Sequence, residues 1–180
     1  FLDKEASAEA GHDVYAEGTG FGDLYGLFLF DRDLRNLTFK YLLKAEARVR
    51  SVAAYTFSEA YRELDAYLKI ANYTDAKDYM VGPSHYDEDL AGLIALRTLV
   101  DFRNICARDE RLWCARVGPV RDEDFSTMVA KLALILDSET ISSFKSELAS
   151  LVGGYAAESQ RLGEVLYNSD LGVPRPEDDK

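Results

Sequence analysis

The sequence predicts an all-α protein: an up-and-down four-helix bundle with an irregular N-terminal arm and an extended C-terminal tail. Three observations carry this reading. Apolar residues recur at steps of three and four along most of the chain, the spacing that lines one face of a helix. No Gly or Pro interrupts the run from Arg32 to Val81. No stretch alternates with period two between hairpin-type turns, and no repeat of solenoid length is present. The expected domain organisation is an arm over 1–30, a helical domain over 31–168 and a tail over 169–180.

The arm holds Gly11, Gly18, Gly20, Gly22 and Gly26. Because Gly costs about 1 kcal/mol inside a helix, this segment is expected to be extended or irregular. It includes the most apolar stretch of the chain, Phe21 to Phe30, where Asp23 is the single charge. The first helix is expected to start near Arg32, with Asp31 or Asp33 as its cap. Leu34, Leu37, Tyr41, Ala45, Val49 and Val52 follow at helical spacing, then Ala60, Leu64, Tyr67, Leu68 and Ala71. Thr56 to Glu59 resembles a capping box and is the one place where this helix is expected to break. Asn72 to Asp75 is turn chemistry, and Gly82 to Ser84 closes the segment.

A second helix is expected from Asp87–Asp89, with acids on its first turn. It fades between Cys106 and Val117, and Gly118 to Asp124 forms a loop. A third helix carries Phe125, Met128, Val129, Leu132 and Ile135. Asp137 to Thr140 ends it and caps a fourth, which carries Ile141, Phe144, Leu148, Leu151, Tyr155, Leu162 and Leu166 and is weakened at Gly153–Gly154. The tail from Leu171 onward reads as extended.

The chain has 180 residues and a formal net charge of −11. That charge argues against nucleic acid as a partner, because phosphate contacts need surplus Lys and Arg. No apolar run approaches the roughly 20 residues of a membrane span. No basic-plus-apolar leader pattern stands at residue 1, and a chain opening on Phe1 is expected to be a processed or trimmed product. Two sequons, at Asn36 and Asn72, keep a secreted glycoprotein open as an alternative.

Catalytic signatures are sparse. Glu9 to His12 has Glu-x-x-His spacing once, without the second copy that a di-iron bundle needs. Gly18 to Gly22 lacks the dinucleotide-loop spacing. No GxSxG or Walker A motif occurs, and the two His residues, His12 and His85, offer no defensible triad. The reading is therefore non-enzymatic, with no cofactor and no metal; a carrier or enzyme with a cavity in the bundle is a further alternative. Cys106 and Cys114 are either two unrelated thiols or a bridge. A bridge requires the helix to end between them, since eight helical residues span ~12 Å, and the bridge is the expectation adopted here.

Two surfaces suggest docking. Phe21, Leu24, Tyr25, Leu27, Phe28 and Phe30 either pack partly on a partner or cap the chain's own core. Lys40, Lys44 and Arg48 recur every four residues as a basic stripe, and residues 32–50 carry a local +4.

The order of parts over roughly residues 60–168 resembles the PsbQ family of extrinsic four-helix subunits of photosystem II. The likeness rests on "ELDAYLKIANYTDAKDYM" with Tyr73 as the turn aromatic, "DLAGLIALRTLVDFRNI" with the pair Leu96–Arg97, and the run from Phe125 to Leu166. The resemblance implies a cofactor-free accessory protein of the chloroplast thylakoid lumen. Its partners would be subunits of a larger membrane-associated complex, without a transmembrane segment of its own.

Overall fold

The computed structural model describes residues 1–72 and 87–176, with side chains given outside 87–94. Among these residues the fold is all-helical, without strands. Six helices follow one another: α1 (Lys4–Ala10), α2 (Phe21–Ala60), α3 (Asp87–Ala107), α4 (Phe125–Ile135), α5 (Ser138–Glu158) and α6 (Gln160–Tyr167). Two 3-10 turns, Ala66–Leu68 and Ile70–Asn72, come after α2.

The N-terminal expectation needs correction. Residues 1–30 are not irregular throughout, because α1 is helical and α2 begins at Phe21 and runs 40 residues. Asp23 explains the early start: its carboxylate accepts the Gly20 N–H at 3.0 Å, closing the first turn, and it receives the Ser159 hydroxyl at 2.8 Å. The Gly20 and Ser159 hydrogen bonds hold the Asp23 carboxyl below the usual carboxylate range. The Gly22 and Gly26 penalties are offset by packing, which routinely overrides propensity. Asp31 and Asp33 are not caps but mid-helix residues. The helix passes through Thr56–Glu59 unbroken and ends at Ala60, short of Ala71.

The later helices fall where the sequence places them, with one change. Asp124 caps α4 and Asp137 caps α5, each accepting the N–H of the residue three positions on at 2.8 Å. The Gly153–Gly154 pair does not weaken α5. The break comes at Ser159, whose extended backbone and hydroxyl cap α6. Gly163 allows α6 to close against α5, since a Cβ there would lie 3.0 Å from that of Ala156.

Helix α2 is the spine, packing on α3, α4, α5 and α6. One core joins Phe30, Leu34, Tyr41 and Leu42 of α2, Leu99 and Phe102 of α3, Phe125, Met128 and Leu132 of α4, Phe144, Leu148 and Val152 of α5, and Leu162 and Leu166 of α6. The tail does not start as a free end, because Leu171 is buried in this core and Val173 packs against it. His85, Tyr73 and the turn residues 73–75 and 82–84 lie outside the described residues. No helix among the described residues is long and apolar enough to cross a membrane.

Candidate functional site

A concavity rich in charged residues forms where α3 ends. Arg108 caps α3, its N–H bonded to the Asn104 carbonyl at 3.0 Å. Asp109 then turns left-handed at φ 60°, and the Glu110 N–H returns to the Ile105 carbonyl at 3.1 Å. This is a Schellman-type ending with Asp in the place usually held by Gly. It throws the chain back across the end of α3. A cleft of about 260 Å³ results, lined by Asp101, Asn104, Ile105, Arg108, Glu110, Arg116, Val117, Gly118 and Arg121.

Two polar locks hold the cleft's walls. The first is built on one turn of α2. Asp31 and Arg35, four residues apart, are an ion pair with side chains 5% and 7% exposed. The Asp31 carboxylate accepts the N–H groups of Leu112 and Trp113, both at 2.8 Å. Arg35 also grips the Asp109 carboxylate and donates to the Glu110 carbonyl at 3.3 Å. A charge pair that would be costly to bury alone is thereby satisfied by the 109–113 turn.

The second lock holds the far wall. Val117 and Glu123 form a two-way backbone bridge, with Gly118 at φ 89° and Arg121 at φ 55° in the turn between them. The Glu123 carboxylate bonds to the Thr98 hydroxyl and to the Lys131 Nζ at 2.5 Å, and Lys131 reaches Thr98 at 2.6 Å. Burial pushes the Glu123 carboxyl upward, but the Lys131 and Thr98 hydrogen bonds outweigh it and leave it lowered. The loop is thus pinned to α3 and α4 together.

Within the cleft, Arg116 bridges Asp124 at 3.2 Å and Asp170 at 2.6 Å. Arg108 and Arg121 make no ion pair among the described residues. A guanidinium presents planar, always-charged donors that match phosphate oxygens in pairs. Arg108, Arg121 and the Asn104 amide share these walls with the Asp101 and Glu110 carboxylates, and together they form the candidate anion site.

The residues singled out from sequence are placed differently. Phe21, Tyr25 and Phe28 do form an exposed strip, stacked at 6.0 and 6.3 Å. Phe30 instead lies fully buried, edge-on to Tyr155 at 5.5 Å, and Leu27 packs on the core. Leu24 is half-buried. The stretch is split by helical periodicity into a core face and a solvent face.

The basic stripe faces acids of this same chain. Lys40 pairs with Glu147 at 2.9 Å, Lys44 sits 4.6 Å above the Tyr41 ring, and Arg48 lies 3.5 Å from Asp137. It joins α2 to α5. Cys106 and Cys114 are free rather than bridged. Cys106 still belongs to α3 and packs on the core, where burial pushes its thiol up to about 12, while Cys114 is exposed. His12 is exposed, its Nδ1 against the Ala10 carbonyl at 3.0 Å, and no metal-binding cluster occurs among the described residues. Asn36 is exposed on α2; Asn72 donates to the Ala66 carbonyl at 2.7 Å.

Sequence reasoning missed Asn104, Arg108, Arg116 and Arg121. A signal was available: residues 97–121 hold six Arg (Arg97, Arg103, Arg108, Arg111, Arg116 and Arg121) and no Lys.

No curated protein and no solved structure matches the chain significantly. A family match overturns the PsbQ resemblance and, with it, the photosystem II role and the chloroplast lumen. The matched family is described as Abi-like protein, and the match spans residues 2–91, taking in α1, α2 and the start of α3. The diffuse helical patterns behind the PsbQ likeness are common to acidic helical proteins and lack a discriminating motif. The match covers half of the 180 residues, and the chain belongs to the Abi-like protein family.

Proposed function

We propose that the chain is a binding module whose arginine-lined cleft takes a phosphate-bearing ligand, and that it works by binding rather than catalysis. The carrying observation is the pair Arg108 and Arg121, which face one cleft without ion-pair partners among the described residues. Arginines and an amide hold an anion but neither release nor take up a proton at neutral pH. The family description suggests a setting of abortive infection, in which ligand binding would report on the infected state. The scaffold that goes with this reading is a four-helix bundle of α2, α3, α4 and α5, supported by the packing of α2 on the other three.

Calorimetric titration with inorganic phosphate and pyrophosphate tests the site. Both should bind, pyrophosphate more tightly. Arg108→Gln and Arg121→Gln should each weaken binding about tenfold or more, since a charge-assisted hydrogen bond contributes ~1.5–3 kcal/mol. Unchanged affinity in the double variant, with folding intact by circular dichroism, would refute the reading.

A second reading is favoured by the run of six arginines over 97–121, which gives a local +3 in a chain of −11. On it the phosphates are those of single-stranded RNA. The salt dependence separates the two, because a strand contacting several phosphates loses affinity with a slope of ~0.7 per contact.

A further inference from the structure

A second concavity adjoins the arginine cleft. It lies between α2 and α3 with a volume of about 450 Å³, within the roughly 300–1,000 Å³ of small-molecule sites. Leu42, Ala45 and Val49 of α2, Leu96, Leu99 and Val100 of α3, and Ile135 form its apolar walls. Its charged residues are paired: Glu46 is bonded by Arg50 at 2.5 Å and faces Arg103 at 3.7 Å. Two arginines against one acid leave a rim that favours an anionic molecule. Asn104 lines both the groove and the cleft.

From this juxtaposition we infer that groove and cleft are one bipartite site for a single-chain amphiphile: an apolar tail in the groove and a phosphate head on Arg108 and Arg121. The inference rests on the phosphate reading of the cleft and adds the chemical class of the rest of the ligand. Charge and shape both support it. The groove offers one amide, Asn104, and no unpaired charge to fix a ligand's orientation, and the cleft alone is too small to enclose more than a head group. The helix sets the length. Val100 and Arg108 are separated by ~12 Å along the α3 axis, a span that an extended chain of about eight carbons covers together with its phosphate ester. Asn104, midway, can donate its amide to the ester oxygen that joins tail to head.

The test compares octyl phosphate, used as a monomer, with inorganic phosphate and with octanol, by calorimetry on the full chain. Octyl phosphate should bind on the order of 100-fold more tightly than inorganic phosphate, because each buried CH₂ strengthens binding severalfold. Val100 is more than half exposed, so substitution there should leave the fold intact. Val100→Gln should reduce the octyl advantage at least tenfold and leave inorganic phosphate affinity unchanged. Equal affinity for octyl phosphate and inorganic phosphate would overturn the bipartite site while sparing the cleft. No binding of either would overturn both readings. Tight binding of octanol alone, unaffected by Arg108→Gln, would show an apolar site without the head-group contact and overturn the inference. Binding to vesicles containing phosphatidic acid, with none to monomeric octyl phosphate, would also overturn it.

Discussion

Replacing Asp31 by Ala should be among the most damaging single changes on α2. The carboxylate is 5% exposed and serves three partners: the Arg35 guanidinium and the amides of Leu112 and Trp113. Removal leaves Arg35, 7% exposed, with only the largely solvated Asp109 carboxylate and the Glu110 carbonyl. It also strands two N–H donors, one on the fully buried Leu112. Breaking a buried pair from one side costs ~3–5 kcal/mol. Each stranded donor is worth ~1–3 kcal/mol, but these losses overlap in one network and do not simply add. We therefore expect a loss of about 4 kcal/mol and a melting temperature lower by roughly 8–16 °C for a chain of this size. Asp31→Asn keeps an acceptor for the amides and should cost about half as much. Denaturant unfolding measures the global loss, and hydrogen exchange should speed up at the Leu112 and Trp113 amides well before those of α3. A loss below about 1 kcal/mol for Asp31→Ala, or unaltered exchange at both amides, would refute the lock.

Three further outcomes are expected. The Thr38 hydroxyl is fully buried with no hydrogen-bond partner among the described residues, so Thr38→Val should stabilise the protein by about 1 kcal/mol in chemical denaturation. Burial pushes the Asp124 carboxyl up, but the Thr127 N–H, the Ser126 and Thr127 hydroxyls and Arg116 more than reverse this, lowering it from 3.8 to about 2. Its stabilisation, about 2 kcal/mol, is complete above the unfolded value and fades as pH falls from about 4 toward 2; Asp124→Asn should flatten that part of the pH–stability curve. In native protein a thiol reagent should label Cys114 within minutes and Cys106 only on unfolding, since the Cys106 thiol is packed on the core and raised to about 12.

Local chemistry made much of the fold readable. Asp137 announces a helix start because a cap acts within three residues, and the spacing from Phe125 to Ile135 is settled by one face of one helix. The errors arose where tertiary packing reverses a local preference. Gly22 and Gly26 argue for an irregular arm, yet Gly26 is where α2 meets α6, a Cβ there lying 3.0 Å from Leu162. Gly153 and Gly154 weaken α5 on paper, but α6 folds back along it and holds it. Ser159 was the stronger break because its hydroxyl satisfies both the start of α6 and Asp23, 136 residues away.

The candidate site shows the same division more sharply. Its arginines were present as a compositional signal, but what makes them a cleft is remote in sequence. Arg35 reaches Asp109 across 74 positions and Asp31 reaches Leu112 across 81. Glu123 reaches Thr98 across 25. None of these partners shares a motif. By contrast, the Lys40–Lys44–Arg48 stripe is regular enough to attract attention, yet Glu147, the Tyr41 ring and Asp137 occupy it from within the chain. A four-residue charge period identifies a helix face and says nothing of whether that face is taken. The distinction between the two basic regions is therefore one of partner supply. The stripe on α2 meets acids on α5, whereas at the end of α3 Asp109, Glu123 and Asp124 are already committed to Arg35, Lys131 and Arg116. Arg108 and Arg121 share their cleft with Asp101 and Glu110 but pair with neither among the described residues, and a guanidinium without an ion-pair partner is a better guide to an anionic ligand than a run of positive charge.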